Sequence, residues 1–249
     1  MTFHPTGQTI GNLVPPLTVA NGGTGATTAS GARTGLGVAY DATAADLQPC
    51  GTAAAGSNGL VTDSGHVHPV GVNDLAFNPS DVGLLAWSAD IGACSGSTLP
   101  GAGVVNLIRI NIRQALSVSN VTMCINSAPT GLTSGQNFAG LYNSSGTQLG
   151  VSADQTTPWA TTGNKLMALS NSPIALSAGT FVWVIFWTNF STTAPGFYRV
   201  GSVQGSGLNL GAAVASARFA TNGTATTTLA SITPGSNVLS GVSYWAGLS

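Results

Sequence analysis

Glutamate is absent from the sequence, and only six Lys+Arg and seven aspartates occur among 249 residues. Charged residues make up 5% of the chain, against roughly 25% in ordinary soluble domains. Such a scarcity argues against a long solvated helical surface, because Glu, Lys and Arg are the strong helix formers on exposed faces. It also argues against nucleic-acid binding, which calls for clustered Lys and Arg. Disorder is disfavoured too, since 43% of residues are hydrophobic and the formal net charge is −1.

Long apolar runs are missing as well. Mean hydropathy is +0.30, yet the longest strongly apolar run is the seven residues Phe181 to Trp187. A spanning helix needs ~20. The surplus apolar surface is therefore assigned to sheet packing and subunit interfaces, with no membrane insertion. Three cysteines, Cys50, Cys94 and Cys124, are too few and too scattered for a disulfide framework or a zinc site, and are expected to be reduced thiols. The N-terminal MTFHPTGQTI carries neither a basic region nor an apolar stretch of signal-peptide type, so synthesis in a cytoplasm is expected.

What is abundant is Gly, Ala, Thr, Ser and Val, a composition that favours strands and turns. The two ends differ. Residues 1–90 set Arg33 against six aspartates, net −5; residues 91–249 set Arg109, Arg113, Lys165, Arg199 and Arg218 against Asp154, net +4. A boundary is expected within residues 72–82. Before it, large apolar residues are too few for one copy to build a core, so this half is expected to need partner chains. A short helix is expected within 26–36, led by Thr27 or Thr28 and closed near Gly35 or Gly37.

After the boundary, alternation with period two is clear. Ile108, Ile110 and Ile112 fall on one face of 104–113, and Arg109, Asn111 and Arg113 on the other, as in a half-buried strand. Val121, Met123 and Ile125 repeat the pattern. Residues 138–151 read as a hairpin turning at Asn143-Ser144-Ser145-Gly146. The run 181–187 is apolar on both faces, as in a central strand. Further strands are expected at 83–91, 165–169, 196–203, 215–220, 227–232 and 242–247. The expected class is all-β: an extended, intertwined N-terminal stalk over 1–75, then an antiparallel, jelly-roll-like β-sandwich over 76–249.

Residues 17–37, LTVANGGTGATTASGARTGLG, resemble a segment recurring in bacteriophage tail fibre and tail-associated proteins. Residues 51–69, GTAAAGSNGLVTDSGHVHP, resemble a second recurrent fibre segment ending in HVHP. More weakly, Ala139 to Gly146 and Leu176 to Phe181 resemble hairpins of fibre-tip and carbohydrate-binding domains. The resemblance implies a virion appendage assembled in the host cytoplasm. It implies a homotrimer anchored to other virion proteins near its N-terminus, presenting its C-terminal domain to host-surface polysaccharide.

His66 and His68 lie two apart on an extended segment and so point the same way. Across a trimer axis six imidazoles would suit an octahedral transition-metal ion. The competing reading is a turn before Pro69, in which the imidazoles donate to backbone carbonyls. Trp159, in the loop-like stretch from Asp154 to Gly163, is the expected sugar-stacking aromatic with Asp154 beside it; packing over the sandwich edge is the alternative. The mild positive balance of residues 91–249 favours anionic cell-wall polymers. No enzyme is expected, because glycoside hydrolysis uses two carboxyl groups and Asp154 stands alone beyond residue 91. The function expected is adhesion to a host-surface glycan, with a ligand-free capsid or tail decoration fibre next and a depolymerase last.

Overall fold

A computed structural model describes residues 26–36, 77–201 and 209–249. The chain divides into two units, Met1–Ala76 and Phe77–Ser249. In the first, α1 (Ala29–Gly35) begins where the Thr28 hydroxyl accepts a hydrogen bond from the Gly31 N–H at 3.0 Å. That bond satisfies one of the open donors of the first turn. The rest of the first unit, with the expected stalk and with His66, His68 and Cys50, lies outside the described residues.

The second unit is antiparallel and almost wholly β. Its strands are β1 (Ala86–Trp87), β2 (Cys94–Thr98), β3 (Val104–Asn111), β4 (Leu116–Val118), β5 (Asn120–Ser127), β6 (Thr130–Leu132), β7 (Phe138–Asn143) and β8 (Gln148–Val151). After these come β9 (Gly163–Ala168), β10 (Ile174–Leu176), β11 (Phe181–Trp187), β12 (Phe190–Thr193), β13 (Gly196–Val200), β14 (Phe219–Thr224), β15 (Val238–Leu239) and β16 (Gly247–Leu248). One six-stranded sheet runs β15-β14-β3-β11-β7-β8. In the other, β1-β16-β5-β13-β2, strand β5 also pairs with β9. β4 with β10 and β6 with β12 form two small ribbons. Among the described residues no helix is long and apolar enough to cross a membrane.

The alternating pattern explains the core. Ile108, Ile110 and Ile112 of the β3 segment join Val182, Val184 and Phe186 of β11 and Leu141 of β7. The same cluster holds Val121, Met123 and Ile125 of β5 and Phe197 of β13, so it ties the two sheets together. Central β11 is buried on both sides, as its unbroken apolar run implies. Its other face, Trp183, Ile185 and Trp187, packs with Val105, Leu107 and Tyr142 under Ala217, Ala220, Ala225 and Ile232.

This second core corrects the half-buried reading of 104–113. Val105 and Leu107 are covered by the chain between Ala217 and Ile232, and only the Arg109 end of that face stays open. The covering chain also accounts for the strands expected at 215–220 and 227–232. Residues 227–232 form no strand; Ser231 makes one isolated bridge to Thr147, while Leu229 and Ile232 pack onto the sheet. The expected strand at 215–220 lies at Phe219–Thr224, and that at 83–91 shrinks to Ala86–Trp87. The 242–247 strand shrinks to Gly247–Leu248.

The 138–151 hairpin forms as expected. Asn143 Oδ1 accepts from the Ser145 and Thr147 N–H groups at 3.0 and 2.9 Å, and Gly146 takes φ +83°. A β-carbon there would run into the Ile232 carbonyl oxygen, so glycine is needed both for the turn and for the covering chain to pass.

Candidate functional site: an arginine cleft

Where the covering chain stops, the outer face of β3 carries Arg109, Asn111 and, just past the strand, Arg113. The β14 register places Phe219 opposite Ile108, which sets Arg218 opposite Arg109; the Arg109 N–H donates to the Arg218 carbonyl at 2.9 Å. Trp87, Ser88 and Ala89, from β1 and the residues after it, form the facing wall. Together these seven residues line an open cleft of about 500 Å³.

Two of the three guanidinium groups are held in place. Arg109 Nε donates to Asn111 Oδ1 at 3.0 Å, its Nη1 donates to the Ser216 carbonyl at 2.7 Å, and its Cζ lies 4.2 Å from the Phe181 ring centre. Arg218 lies over Phe219 at 5.1 Å and reaches the Ser88 carbonyl through Nη2 at 3.4 Å. Buried Asn209 fixes the backbone beneath it. Its Oδ1 accepts from the N–H groups of Arg218 and Phe219 at 2.8 and 3.0 Å, while its Nδ2 donates to the Phe219 and Ser240 carbonyls. Arg113 is exposed and has no hydrogen-bond partner among the described residues.

Like charges facing one another across a strand pair are destabilising. Here Arg109 and Arg218 do so with no carboxylate among the described residues of the cleft lining. Burial moves the Arg109 pKa below its ordinary value, which is the direction an unneutralised cation takes. Such a concentration of fixed positive charge is suited to binding an anion. What the lining offers a ligand is guanidinium donors, the side-chain amide of Asn111 and the hydroxyl of Ser88.

The residues singled out as ligand contacts are placed differently. Trp159 is fully buried in the short helical turn Pro158–Ala160 and meets Phe197 edge-on at 5.1 Å, so it offers no face to a sugar. The loop-like sequence around it misled because apolar contacts made at long range leave no local periodicity. Asp154 is half-buried, and its Oδ1 accepts from the backbone N–H of Asn137 at 3.2 Å. It braces a loop and does not line the arginine cleft. His66 and His68 are outside the described residues.

A second cleft, about 510 Å³, includes Cys94, Cys124, Asn126, Asn164 and Tyr198. Both cysteines are free thiols. Burial, with lesser contributions from Cys124 and Asp90, pushes the Cys94 thiol up to about 11. Burial raises Cys124 as well, and its thiol donates to Asn164 Oδ1. Since only the thiolate attacks, Cys94 in the folded chain is expected to react with iodoacetamide at pH 8 roughly a hundredfold more slowly than free cysteine. Peptide mapping of the alkylated chain checks this; equal rates would place Cys94 outside the folded sheet.

The described residues thus define an antiparallel all-β protein with a carboxylate-free arginine cleft. No protein-family model matches the chain, and comparison with curated proteins finds none that matches it. Half of the cleft was legible beforehand in the alternation Arg109-Ile110-Asn111-Ile112-Arg113. Arg218 and Trp87 were not, because only the pairing of distant strands brings them there.

Proposed function

We propose that this chain is a subunit of a bacteriophage tail fibre or related virion appendage, and that its C-terminal domain adheres to a glycan on the host surface. The domain is read as a jelly-roll-like sandwich, the assembly as a homotrimer held to other virion proteins through the N-terminal region, and the activity as binding without catalysis. The observation that carries the adhesive role is the arginine cleft. Like charges are set side by side in a chain otherwise almost free of charge, at a cost in stability that an anionic ligand offsets. The fibre assignment draws on the two N-terminal segments, 17–37 and 51–69, that resemble recurrent fibre sequences.

A ligand-free decoration fibre is the second reading. It draws on large apolar residues left exposed near the edge strand β15, chiefly Leu210 (89% exposed) and Val238 (64%). Such residues suit contacts between subunits.

Fluorescently labelled full-length protein incubated with a panel of bacterial cells separates the two readings. Saturable binding to some cells, weakened in an Arg113→Gln, Arg218→Gln double variant, is the expected result. Absence of saturable binding across the panel favours the decoration fibre, and release of reducing ends from cell polysaccharide favours a depolymerase. Light scattering is expected to give three times the chain mass.

A further inference from the structure

We propose that the arginine cleft is a phosphate subsite, taking the phosphate group of a phosphorylated cell-surface saccharide while Trp87 lies beside the sugar ring. This rests on the reading of residues 77–249 as an adhesive domain, and it specifies the chemistry of that domain's ligand.

The number of donors favours an anion with more acceptor oxygens than a carboxylate has. A planar carboxylate is satisfied by the two-pronged edge of a single guanidinium. Arg109 has already committed Nε to Asn111 and one Nη1 hydrogen to Ser216, so it keeps only its outer end for a ligand. Arg218, directly across the strand pair, and unpartnered Arg113 supply further donors from other directions. Three guanidinium groups lining one cleft offer more donors than the two oxygens of a carboxylate use, and suit the three terminal oxygens of a phosphate. Charge points the same way, because a phosphomonoester carries about −1.5 to −2 near neutral pH and a carboxylate only −1.

Size extends the ligand beyond a free ion. A volume of about 500 Å³ is far more than phosphate occupies, and falls within the usual range for drug-sized ligands. The wall opposite the arginines is the half-buried Trp87 with the small neutral Ser88 and Ala89, which leaves an indole surface and space for a ring. Saccharide C–H faces pack on aromatic surfaces, whose negative faces attract them as they attract cations.

Calorimetric titration of the full chain with mannose 6-phosphate, glucuronate, mannose and inorganic phosphate tests this. Mannose 6-phosphate is expected to bind at least about tenfold more tightly than glucuronate, and mannose not measurably. Arg113→Gln and Arg218→Gln are each expected to weaken mannose 6-phosphate about tenfold or more, the size of a lost charge-assisted hydrogen bond. Higher salt should weaken binding further. Trp87→Leu is expected to weaken mannose 6-phosphate but leave inorganic phosphate unchanged. Arg113 is exposed and makes no hydrogen bond among the described residues, so its variant should melt as the wild type does and keeps the test readable.

Glucuronate binding equal to or tighter than mannose 6-phosphate overturns the phosphate subsite, as does wild-type affinity in the arginine variants. A preference for duplex DNA does the same. If cells are bound but no phosphate preference is found, this inference fails and adhesion stands; phosphate preference without cell binding supports the subsite and defeats the adhesive reading.

Discussion

Trp159→Ala is expected to destabilise the unit Phe77–Ser249 by about 3–5 kcal/mol, lowering its melting temperature by roughly 6–20 °C. The indole is fully buried and stands edge-on to Phe197 at 5.1 Å. Phe197 belongs to one sheet and Phe186, 4.8 Å from it, to the other; Tyr244 meets Phe186 edge-on at 4.8 Å. Removing Trp159 therefore opens a cavity at a junction that joins both sheets. Trp159→Phe should cost much less, because it keeps most of the ring volume and deletes an indole N–H that has no hydrogen-bond partner. Thermal melts of the two variants check the claim. An Ala variant that melts like wild type but fails to bind cells would restore Trp159 as a surface platform.

Asn137→Leu is expected to cost about 3–4 kcal/mol although it places a larger apolar side chain in a fully buried site. Every polar valence of this amide is used. Oδ1 accepts from the Thr188 hydroxyl at 2.7 Å and the Asn189 N–H at 3.0 Å, while Nδ2 donates to the Thr133 carbonyl at 2.7 Å and the Thr156 hydroxyl at 2.9 Å. Leucine would strand the Thr188 hydroxyl and the Asn189 N–H and leave Thr133 and Thr156 only their mutual 3.4 Å contact, and a buried group left without a partner bears its whole desolvation penalty. Asn137→Asp keeps the shape but loses the two donors and adds a buried charge, so it should be destabilised as well. Denaturant unfolding of both variants measures the effect. A leucine variant as stable as wild type would show that packing alone holds the 133–156 loops to the end of β11.

The role of Asp154 follows from the same network. The sequence offered it as a ligand contact because it stands near Trp159 in a loop-like stretch. In the fold its oxygen holds the Asn137 N–H, so its work is the bracing of one loop. For the arginines the alternation placed Arg109 and Arg113 on one outer face, and the fold adds Arg218 to the same cleft.

By itself the sequence determined what period-two patterning and turn chemistry can carry. It marked the inward face of β3 at Ile108, Ile110 and Ile112, the doubly buried run of β11, the hairpin turn at Asn143 to Gly146, and a short helix begun by Thr27 or Thr28, of which the fold uses Thr28. These are local matters, settled within a few residues by where side chains point and which donors need capping. Only the tertiary structure decided what covers each face. Alternation shows that the two sides of β3 differ, but not that the chain after Ala217 buries Val105 and Leu107 while leaving Arg109, Asn111 and Arg113 open. Nor does it show that Arg218 pairs opposite Arg109 or that Trp159 fills the junction between sheets. Those outcomes depend on the register of strands far apart in the chain, which is set by the packing of the whole domain.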